Sequence, residues 1–152
     1  MKGFNKILFP VDLSEAAPKI VPYVKLMAKK FESEIHLLFV ARVFEYFSGV
    51  YVPHPSINQF EDEIVKGAKK KLKEFTEEYF SDLPETKTEV ITGDISEEIL
   101  KYTASNDVGL LIMGTHGRKG FDKMVFGSIA ERVSKTSPVP VLLINPYKST
   151  ES

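Results

Sequence analysis

The sequence lacks cysteine, a strong net charge and any long apolar run. The absence of cysteine from all 152 residues excludes disulfides, thiolate metal sites and cysteine nucleophiles. A formal net charge of −1 creates no long-range field for nucleic acid or an anionic membrane, so any bound anion must be held locally. Because no apolar span of about 20 residues and no basic-then-apolar leader is present, we expect a cytoplasmic protein that binds neither nucleic acid nor membrane.

The composition is otherwise that of an ordinary globular protein. Hydrophobic residues make up 43% of the chain and charged residues 27%, and 11 Phe with 6 Tyr supply bulk for a core. A chain of this length fits one domain. We therefore expect a single domain over residues 1–147, with a flexible tail at residues 148–152.

Short apolar runs alternate with segments of helical periodicity. The runs predict five strands, at residues 6–11, 34–40, 86–91, 108–113 and 139–144. Apolar residues at helical spacing predict four helices, one ending near Phe31, one over residues 60–79, one beginning at Asp94 and a short one over residues 127–135. This alternation predicts a doubly wound α/β domain, with a parallel sheet and helices on both faces.

Polar residues mark two of the predicted helix starts. Asp94 is followed three residues later by Glu97, which is typical of a capping box. Asp12 and Ser14 are candidate caps of the first helix. Because Asp12 also follows the first strand directly, it is either a cap, a ligand contact or both.

The stretch GTHGRKGFDKMVFGS, residues 114–128, follows the fourth predicted strand. In an open parallel sheet, ligands bind beyond the carboxyl ends of the strands, where the strand order reverses. Gly114 and Gly117 permit a tight turn that aims main-chain N–H groups into a concavity, and Gly127 and Ser128 are predicted at the start of the next helix. These features predict a phosphate site. The alternative is a purely structural loop, in which Gly114 caps the strand and Gly127 allows close packing.

The spacing of Gly114, Gly117, Gly127 and Ser128 resembles the G-2x-G-9x-G-(S/T) pattern of the universal stress proteins. The resemblance covers nearly the whole chain, including the segments KILFPVDLSEAA, IHLLFV, GDISEEIL and SPVPVLLI. It implies a three-layer, Rossmann-like domain with five parallel strands that binds an adenine nucleotide. Family members with this glycine pattern typically bind ATP, and they are usually homodimers through the last strand, here Val139 to Ile144.

The resemblance also implies which residues contact the nucleotide. The adenosine end would lie at the exits of the first two strands, against Pro10, Val11, Asp12 and Val40. The ribose side would be lined by Met113 and Gly114, and the phosphates would be surrounded by Gly117, Gly127, Ser128 and Ile129. Independently of the resemblance, the basic side chains of Arg118 and Lys119 in the loop could add positive charge for the phosphates. One departure from the family is Ala130, since nucleotide-binding relatives often have a hydroxyl residue there.

Three functions remain open from the sequence. The first is an ATP-binding regulatory or stress-response factor with slow or no hydrolysis, since no Walker lysine, arginine finger or evident water-positioning base is found. The second is an ATPase or a phosphoryl or nucleotidyl transferase that uses Asp12, Ser128 and a Mg²⁺ or Mn²⁺ ion carried with the triphosphate. The third is a dimeric interaction module that binds no nucleotide.

Two further features have open interpretations. The aromatic-rich loop from Val43 to Pro55 either folds over the nucleotide as a lid or packs on the sheet edge or a partner subunit. His116 is either a general acid or an exposed loop histidine. The three histidines show no zinc-ligand spacing, so no transition-metal site is expected.

Overall fold

The computed structural model describes residues 3–42, 54–116 and 123–148 of the chain. Within these ranges the elements, in chain order, are β1 (Lys6–Pro10), α1 (Ala17–Phe31), β2 (Glu34–Ala41), α2 (His54–Tyr79), β3 (Lys87–Thr92), α3 (Ile95–Ser105), β4 (Leu110–Gly114), α4 (Lys123–Thr136) and β5 (Val141–Ile144). None of the helices in this part of the chain combines the length and the apolar character that a membrane span requires. The alternation of strands and helices confirms the predicted α/β class.

The strands form one parallel sheet in the order β3-β2-β1-β4-β5. The central strand β1 pairs with β2 from Lys6↔Glu34 to Pro10↔Leu38, and with β4 at Ile7↔Leu110 and Leu8↔Leu111. The chain first builds the sheet outward from β1 to β3 and then returns to add β4 and β5 on the other side. The direction of strand addition therefore reverses between β1 and β4, which makes this boundary the topological switch point.

The sheet separates two apolar clusters, as expected for helices on both faces. The cluster beneath α1 and α2 has a fully buried centre of Ile7, Phe9, Val24, Leu37, Leu72 and Ile112. The cluster beneath α3 and α4 has a similar centre of Leu8, Ile99, Leu111, Met113 and Val133. Neighbouring residues of β1 and β4 fall in opposite clusters because successive side chains of a strand point to opposite faces. Burial of each large apolar side chain contributes about 1.5–3 kcal/mol to folding.

A polar pair is buried between β2 and α3. Nδ1 of His36 lies 2.6 Å from the Tyr102 hydroxyl, and Nε2 lies 2.6 Å from Oε1 of Glu34. The hydrogen bond to His36 is the main cause that holds the pKa of Glu34 below its usual range, and burial raises the pKa of Tyr102 to about 12. An ionised carboxylate only accepts, so Nε2 of His36 donates to Glu34.

The starts of three helices differ from the sequence predictions. The N-cap of α1 is Ala16, which makes no side-chain cap bond, so Asp12 and Ser14 hold the preceding turn instead of the helix itself. α2 begins at His54, inside the loop predicted to extend through residue 55, and residues 43–53 of that loop lie outside the described part of the chain. α4 begins at Lys123, so the prediction that Gly127 and Ser128 start this helix is wrong.

The predicted cap of α3 at Asp94 is confirmed. Asp94 Oδ2 accepts the N–H of Glu97 at 3.0 Å and the hydroxyl of Ser96 at 3.1 Å. Asp94 caps its helix because it lies directly before the first helical residue and has extended backbone angles, φ −75° and ψ 129°. Asp12 and Ser14 do not occupy that position in α1.

Candidate functional site

The candidate site lies at the carboxyl edge of the sheet, at the switch point between β1 and β4. Pro10 ends β1 and Gly114 ends β4, and both residues are buried. The chain leaves β1 toward α1 on one face and leaves β4 toward α4 on the other, so the two connections diverge and leave a crevice between them. Gly117 and Arg118, predicted to border the phosphates, lie outside the described residues.

The turn after β1 is held by the carboxylate of Asp12. Its Oδ1 accepts the N–H of Ser14 at 3.0 Å and the hydroxyl of Ser14 at 2.7 Å. The Ser14 hydroxyl oxygen accepts the N–H of Ala16 at 3.2 Å, and Leu13 has a left-handed φ of 59°. These bonds fix a half-buried carboxylate at the exit of β1, where it can accept hydrogen bonds from a ligand hydroxyl or amino group.

Three apolar residues of the predicted site meet in one cluster. Val40 of β2, Met113 of β4 and Ile129 of α4 all belong to the core beneath α3 and α4, and Met113 is fully buried. Val11 belongs to the cluster on the opposite face, and its N–H donates to the carbonyl of Leu38 at 2.8 Å. The structure therefore places Val40, Met113 and Ile129 almost fully buried in the core on the α4 side of the sheet, and Val11 in the core on the opposite face.

Gly114 and Gly127 both have a packing reason to lack a side chain. A Cβ atom on Gly114 would lie 2.5 Å from Cδ1 of Ile20 in α1. A Cβ atom on Gly127 would lie 3.3 Å from the carbonyl oxygen of Thr115. Both distances are shorter than ordinary carbon contacts, so α1 and α4 approach the exit of β4 closely because these residues are glycines. The close-packing interpretation of Gly127 is thus supported, Gly114 ends β4 and is itself closely packed, and both findings are compatible with a ligand at the same edge.

The first turn of α4 supplies backbone donors near the crevice. The N–H groups at the start of an α-helix have no acceptor within the helix, and among the described residues of α4 they belong to residues 123–125. Together they represent roughly half an elementary positive charge. Ser128 is exposed further along the helix, whereas Ala130 is only 3% exposed and packs in the core cluster. A hydroxyl residue at position 130 would therefore face the core, so Ala130 removes no donor from the exposed side of the helix.

α3 and α4 are joined by an arginine at the same edge of the sheet. Nη1 of Arg132 lies 3.5 Å from Asp94 Oδ2, and Nη2 lies 3.9 Å from Glu97 Oε1. The N–H of Glu97 is the main cause that lowers the pKa of Asp94, and Ser96, Arg132 and Arg42 lower it further. Because these side chains are about half exposed, each ion pair contributes at most about 1 kcal/mol.

A cluster of side chains beside the exit of β4 was not indicated by any sequence pattern. The rings of His116 and Tyr147 meet edge to face, with centroids 5.9 Å apart, and His116 Nδ1 lies 2.8 Å from the Thr115 hydroxyl oxygen. Nζ of Lys19 lies 4.8 Å from the centre of the Tyr147 ring. His116 is half-buried in this cluster, so the expectation of an exposed loop histidine is wrong. The only feature of the sequence that could have pointed to this cluster is Tyr147, an aromatic residue three positions after the end of β5.

Ligands for a metal ion do not come together in the described ranges. Among residues 3–42, 54–116 and 123–148, no three His, Asp or Glu side chains are grouped so that they could hold an ion. An ion that enters with a phosphorylated ligand would then depend mainly on phosphate oxygens and water, as Mg²⁺ commonly does.

Comparison with known proteins relates the whole domain to one family. The model of the universal stress protein family matches residues 3–145. YxiE, a universal stress protein of Bacillus subtilis, is 30% identical over 146 residues, which cover 93% of this chain and 99% of YxiE. The universal stress protein MJ0577 of Methanocaldococcus jannaschii is 30% identical over 158 residues, which cover 96% of this chain and 98% of MJ0577.

Solved structures share the fold along almost the full length. The structure of MJ0577 aligns with a TM-score of 0.81 over 96% of this chain and 99% of that chain. A universal stress protein in complex with cAMP aligns at 14% identity with a TM-score of 0.58, covering 95% of this chain and 99% of that chain. A universal stress protein of Archaeoglobus fulgidus in complex with dAMP aligns at 15% identity with a TM-score of 0.56, covering 92% and 97%. At these two lower identities the likeness shows the fold alone.

Proposed function

The chain belongs to the universal stress protein family, and we propose that it binds ATP in the crevice between β1 and β4. In this proposal the bound nucleotide makes the protein a regulatory or stress-response factor, and hydrolysis is slow or absent. The observation that carries the proposal is the position of the Asp12 carboxylate at the exit of β1, beside the exit of β4 that leads to α4, at the switch point of one parallel sheet.

Each wall of the crevice suits a different part of the nucleotide. The Asp12 carboxylate can accept from the ribose hydroxyls or from the adenine amino group, because its oxygens only accept hydrogen bonds. Val40, Met113 and Ile129 are almost fully buried, so in this proposal they support the adenosine side of the crevice from the core beneath it. The amides at the start of α4 and the Ser128 hydroxyl suit phosphate oxygens.

Relatives support the adenosine half of this proposal. The cAMP and dAMP complexes are both complexes of universal stress proteins with adenine nucleotides. The proposal that the triphosphate also binds here depends on the glycine pattern and on the positive end of α4. Gly117 and Arg118 are further predicted contacts of the phosphates. A Mg²⁺ or Mn²⁺ ion, when bound, would neutralise part of the phosphate charge.

Slow hydrolysis is proposed because the polar groups near the crevice already have partners. Asp12 holds the turn through Ser14, and His116 is engaged with Thr115 and Tyr147. Fast phosphoryl transfer needs a group that positions the attacking water and a charge that stabilises the transition state. The described residues that meet at the crevice offer neither in an evident form.

The binding proposal is tested first on the protein as purified. Native mass spectrometry without added nucleotide should show an extra mass equal to ATP or another adenine nucleotide. After removal of any bound ligand, calorimetric titration should give saturable binding of ATP and much weaker binding of GTP. Absence of both the copurified mass and the calorimetric signal would overturn the proposal in favour of the nucleotide-free interaction module.

Variants at two aspartates locate the site. Asp12→Asn keeps an oxygen that can accept from Ser14 but removes the charge, and it should weaken ATP binding about tenfold or more. Asp94→Asn is the matched control, because Asp94 also follows a strand at the same sheet edge and caps a local turn of backbone. Equal effects of the two substitutions on ATP affinity would contradict the assignment of Asp12.

Turnover distinguishes the regulator from the enzyme. Pure protein incubated with ATP and Mg²⁺ or Mn²⁺ should release phosphate well below about 1 s⁻¹, the lower end of ordinary enzyme rates. A rate at or above that value, lost in Ser128→Ala, would support an ATPase or transferase instead.

We further propose that the chain forms a homodimer through Val139 to Ile144. β5 is the last strand of the sheet and pairs only with β4 among the described strands. Its Leu143 side chain is 39% exposed. An apolar edge strand invites pairing, and a second copy related by a two-fold axis would cover it. Pro140 precedes the strand, where the missing N–H interrupts no ladder bond.

A further inference from the structure

The chain makes a tight turn directly after β5. The N–H of Tyr147 donates to Oδ1 of Asn145 at 3.0 Å, and the N–H of Lys148 donates to the carbonyl of Asn145 at 3.3 Å. Pro146 inside the turn is buried, and Tyr147 is half-buried. The turn therefore holds the tyrosine ring against the carboxyl edge of the sheet.

Tyr147 contacts both sides of the crevice. On the α1 side, its hydroxyl is hydrogen-bonded to Glu15, and the Lys19 ammonium lies 4.8 Å from the ring centre. On the β4 side, its ring lies edge to face with His116 at 5.9 Å and an interplanar angle of 70°. Burial is the main cause that raises the pKa of Tyr147, and the charges of Glu15 and Asp12 raise it further, so the hydroxyl keeps its hydrogen at neutral pH.

The contact with His116 continues into the walls of the proposed site. His116 Nδ1 lies 2.8 Å from the hydroxyl oxygen of Thr115, and the N–H of Thr115 donates to the carbonyl of Ile144 at 2.9 Å. The carbonyl oxygen of Thr115 is the atom that Gly127 of α4 approaches. A displacement of Tyr147 would therefore also shift His116 and Thr115 at the exit of β4, and through them α4.

We propose that Tyr147 is a positioning residue for nucleotide binding, which fixes the exit of β4 relative to the start of α1. Its ring acts through His116 and Lys19, since aromatic edge contacts and cation–π contacts restrain the groups that make them. This inference rests on the proposed function, because the exit of β4 matters only if the crevice holds a ligand. The inference adds to the site a residue from the segment after β5, and this segment is not part of the glycine pattern.

The test compares three variants of the full chain by calorimetric titration with ATP at a temperature where circular dichroism shows all of them folded. Tyr147→Ala removes the ring and should weaken ATP binding about fivefold. Tyr147→Phe keeps the ring and should bind within about twofold of the wild type. Tyr23→Ala is the matched control, because Tyr23 is 42% exposed on the outer face of α1, and it should bind as the wild type does.

Two results would overturn the inference while the wild type binds ATP. One is unchanged affinity in Tyr147→Ala, even if its melting temperature falls, since that result describes a purely structural role. The other is an equal loss of affinity in Tyr147→Ala and Tyr147→Phe, since the ring would then not be the active group.

A second measurement separates this inference from the proposed function. The ring hydrogens of His116, followed by nuclear magnetic resonance without nucleotide, should shift in Tyr147→Ala and stay in place in Tyr147→Phe. If the wild type fails to bind ATP, the proposed function is overturned and the positioning role for nucleotide falls with it. If the wild type binds ATP but the His116 signals do not move in Tyr147→Ala, only the inference about Tyr147 is overturned.

Discussion

A Cβ atom on Gly127 would lie 3.3 Å from the carbonyl oxygen of Thr115, so α4 crosses the exit of β4 closely at this point. The contact joins Thr115, which directly follows β4, to α4, the next helix in the chain. A single residue thus serves two purposes in our interpretation, because it permits the packing of α4 and keeps the phosphate end of the crevice free of a side chain.

Two glycines in helices should respond differently to alanine. Gly67 lies exposed in α2, and a Cβ atom there would have no neighbouring atom within 4 Å, so Gly67→Ala should raise the free energy of unfolding by about 0.5–1 kcal/mol. Gly127→Ala has the same gain in helix propensity, but the Thr115 carbonyl must move by a few tenths of an ångström. We expect a smaller gain or a loss, together with weaker ATP binding. Urea unfolding and calorimetry measure the two effects, and equal gains in stability would contradict the close contact.

Removal of the Tyr102 hydroxyl should destabilise the core. Tyr102→Phe leaves Nδ1 of the buried His36 without its hydrogen-bond partner, which should cost about 1–3 kcal/mol in the free energy of unfolding. The exposed Tyr23→Phe is the control and should change stability by less than about 0.5 kcal/mol. If the two substitutions have the same effect in urea unfolding, the hydrogen bond does not stabilise the core.

The same hydroxyl predicts a change at alkaline pH. Because the pKa of Tyr102 rises to about 12 from an ordinary value of 10.0, its contribution is fully present below pH 10 and is lost as the pH rises toward 12. The stability of the wild type should therefore fall across this window more steeply than that of Tyr102→Phe. Urea midpoints at pH 9 and pH 11 measure the difference, and parallel curves would contradict the predicted titration.

The cap of α3 should matter at neutral pH and less in acid. Asp94→Ala removes the acceptor of the Glu97 N–H and should lower the free energy of unfolding by about 1 kcal/mol at pH 7. The pKa of Asp94 is below its ordinary 3.8, so its contribution is fully present above that value and is lost as the pH falls through the lowered pKa. The gap between wild type and variant should shrink as the pH falls below 3.8, as measured by urea unfolding. Asp62→Ala, on the exposed surface of α2, should show no such gap.

A charge on β5 should separate the proposed dimer. Leu143→Glu places a carboxylate in each of two edge strands that would lie side by side, where like charges repel. We expect a monomer by light scattering coupled to size-exclusion chromatography. Leu26→Glu, at a residue 53% exposed on α1, should leave the dimer intact. A wild type that is already monomeric at micromolar concentration would refute the proposed interface.

The sequence predicted the elements well because their signals are local. The apolar runs at β1, β2 and β4 are short enough to exclude helices, and their residues are almost all buried on both faces. The starts of α1 and α4 were missed because they depend on backbone geometry that a residue list does not show. Glycine at position 127 indicated a helix boundary by propensity, but the structure places it inside α4, where the close approach to Thr115 leaves little room for a side chain.

The candidate site was predicted only where it follows the ends of strands. The end of the first strand pointed to Asp12, whereas Val40 and Met113 were named through the family resemblance; the structure places all three toward the carboxyl ends of β1, β2 and β4. The cluster around Tyr147 could not be predicted from the sequence. It depends on the path of the chain after β5 and on which face of α1 carries Lys19. Contacts between residues so far apart in the chain leave no periodic trace in a single sequence.

The central place of β1 has a consequence for synthesis. Its partner β4 begins at Leu110, 100 residues after Pro10 ends β1, so on the ribosome one side of this apolar strand stays unpaired while the intervening chain is made. At about 5–20 residues per second, that interval lasts roughly 5–20 s. During it the nascent chain carries an open sheet edge, and a chaperone that shields such edges would meet its substrate at this stage.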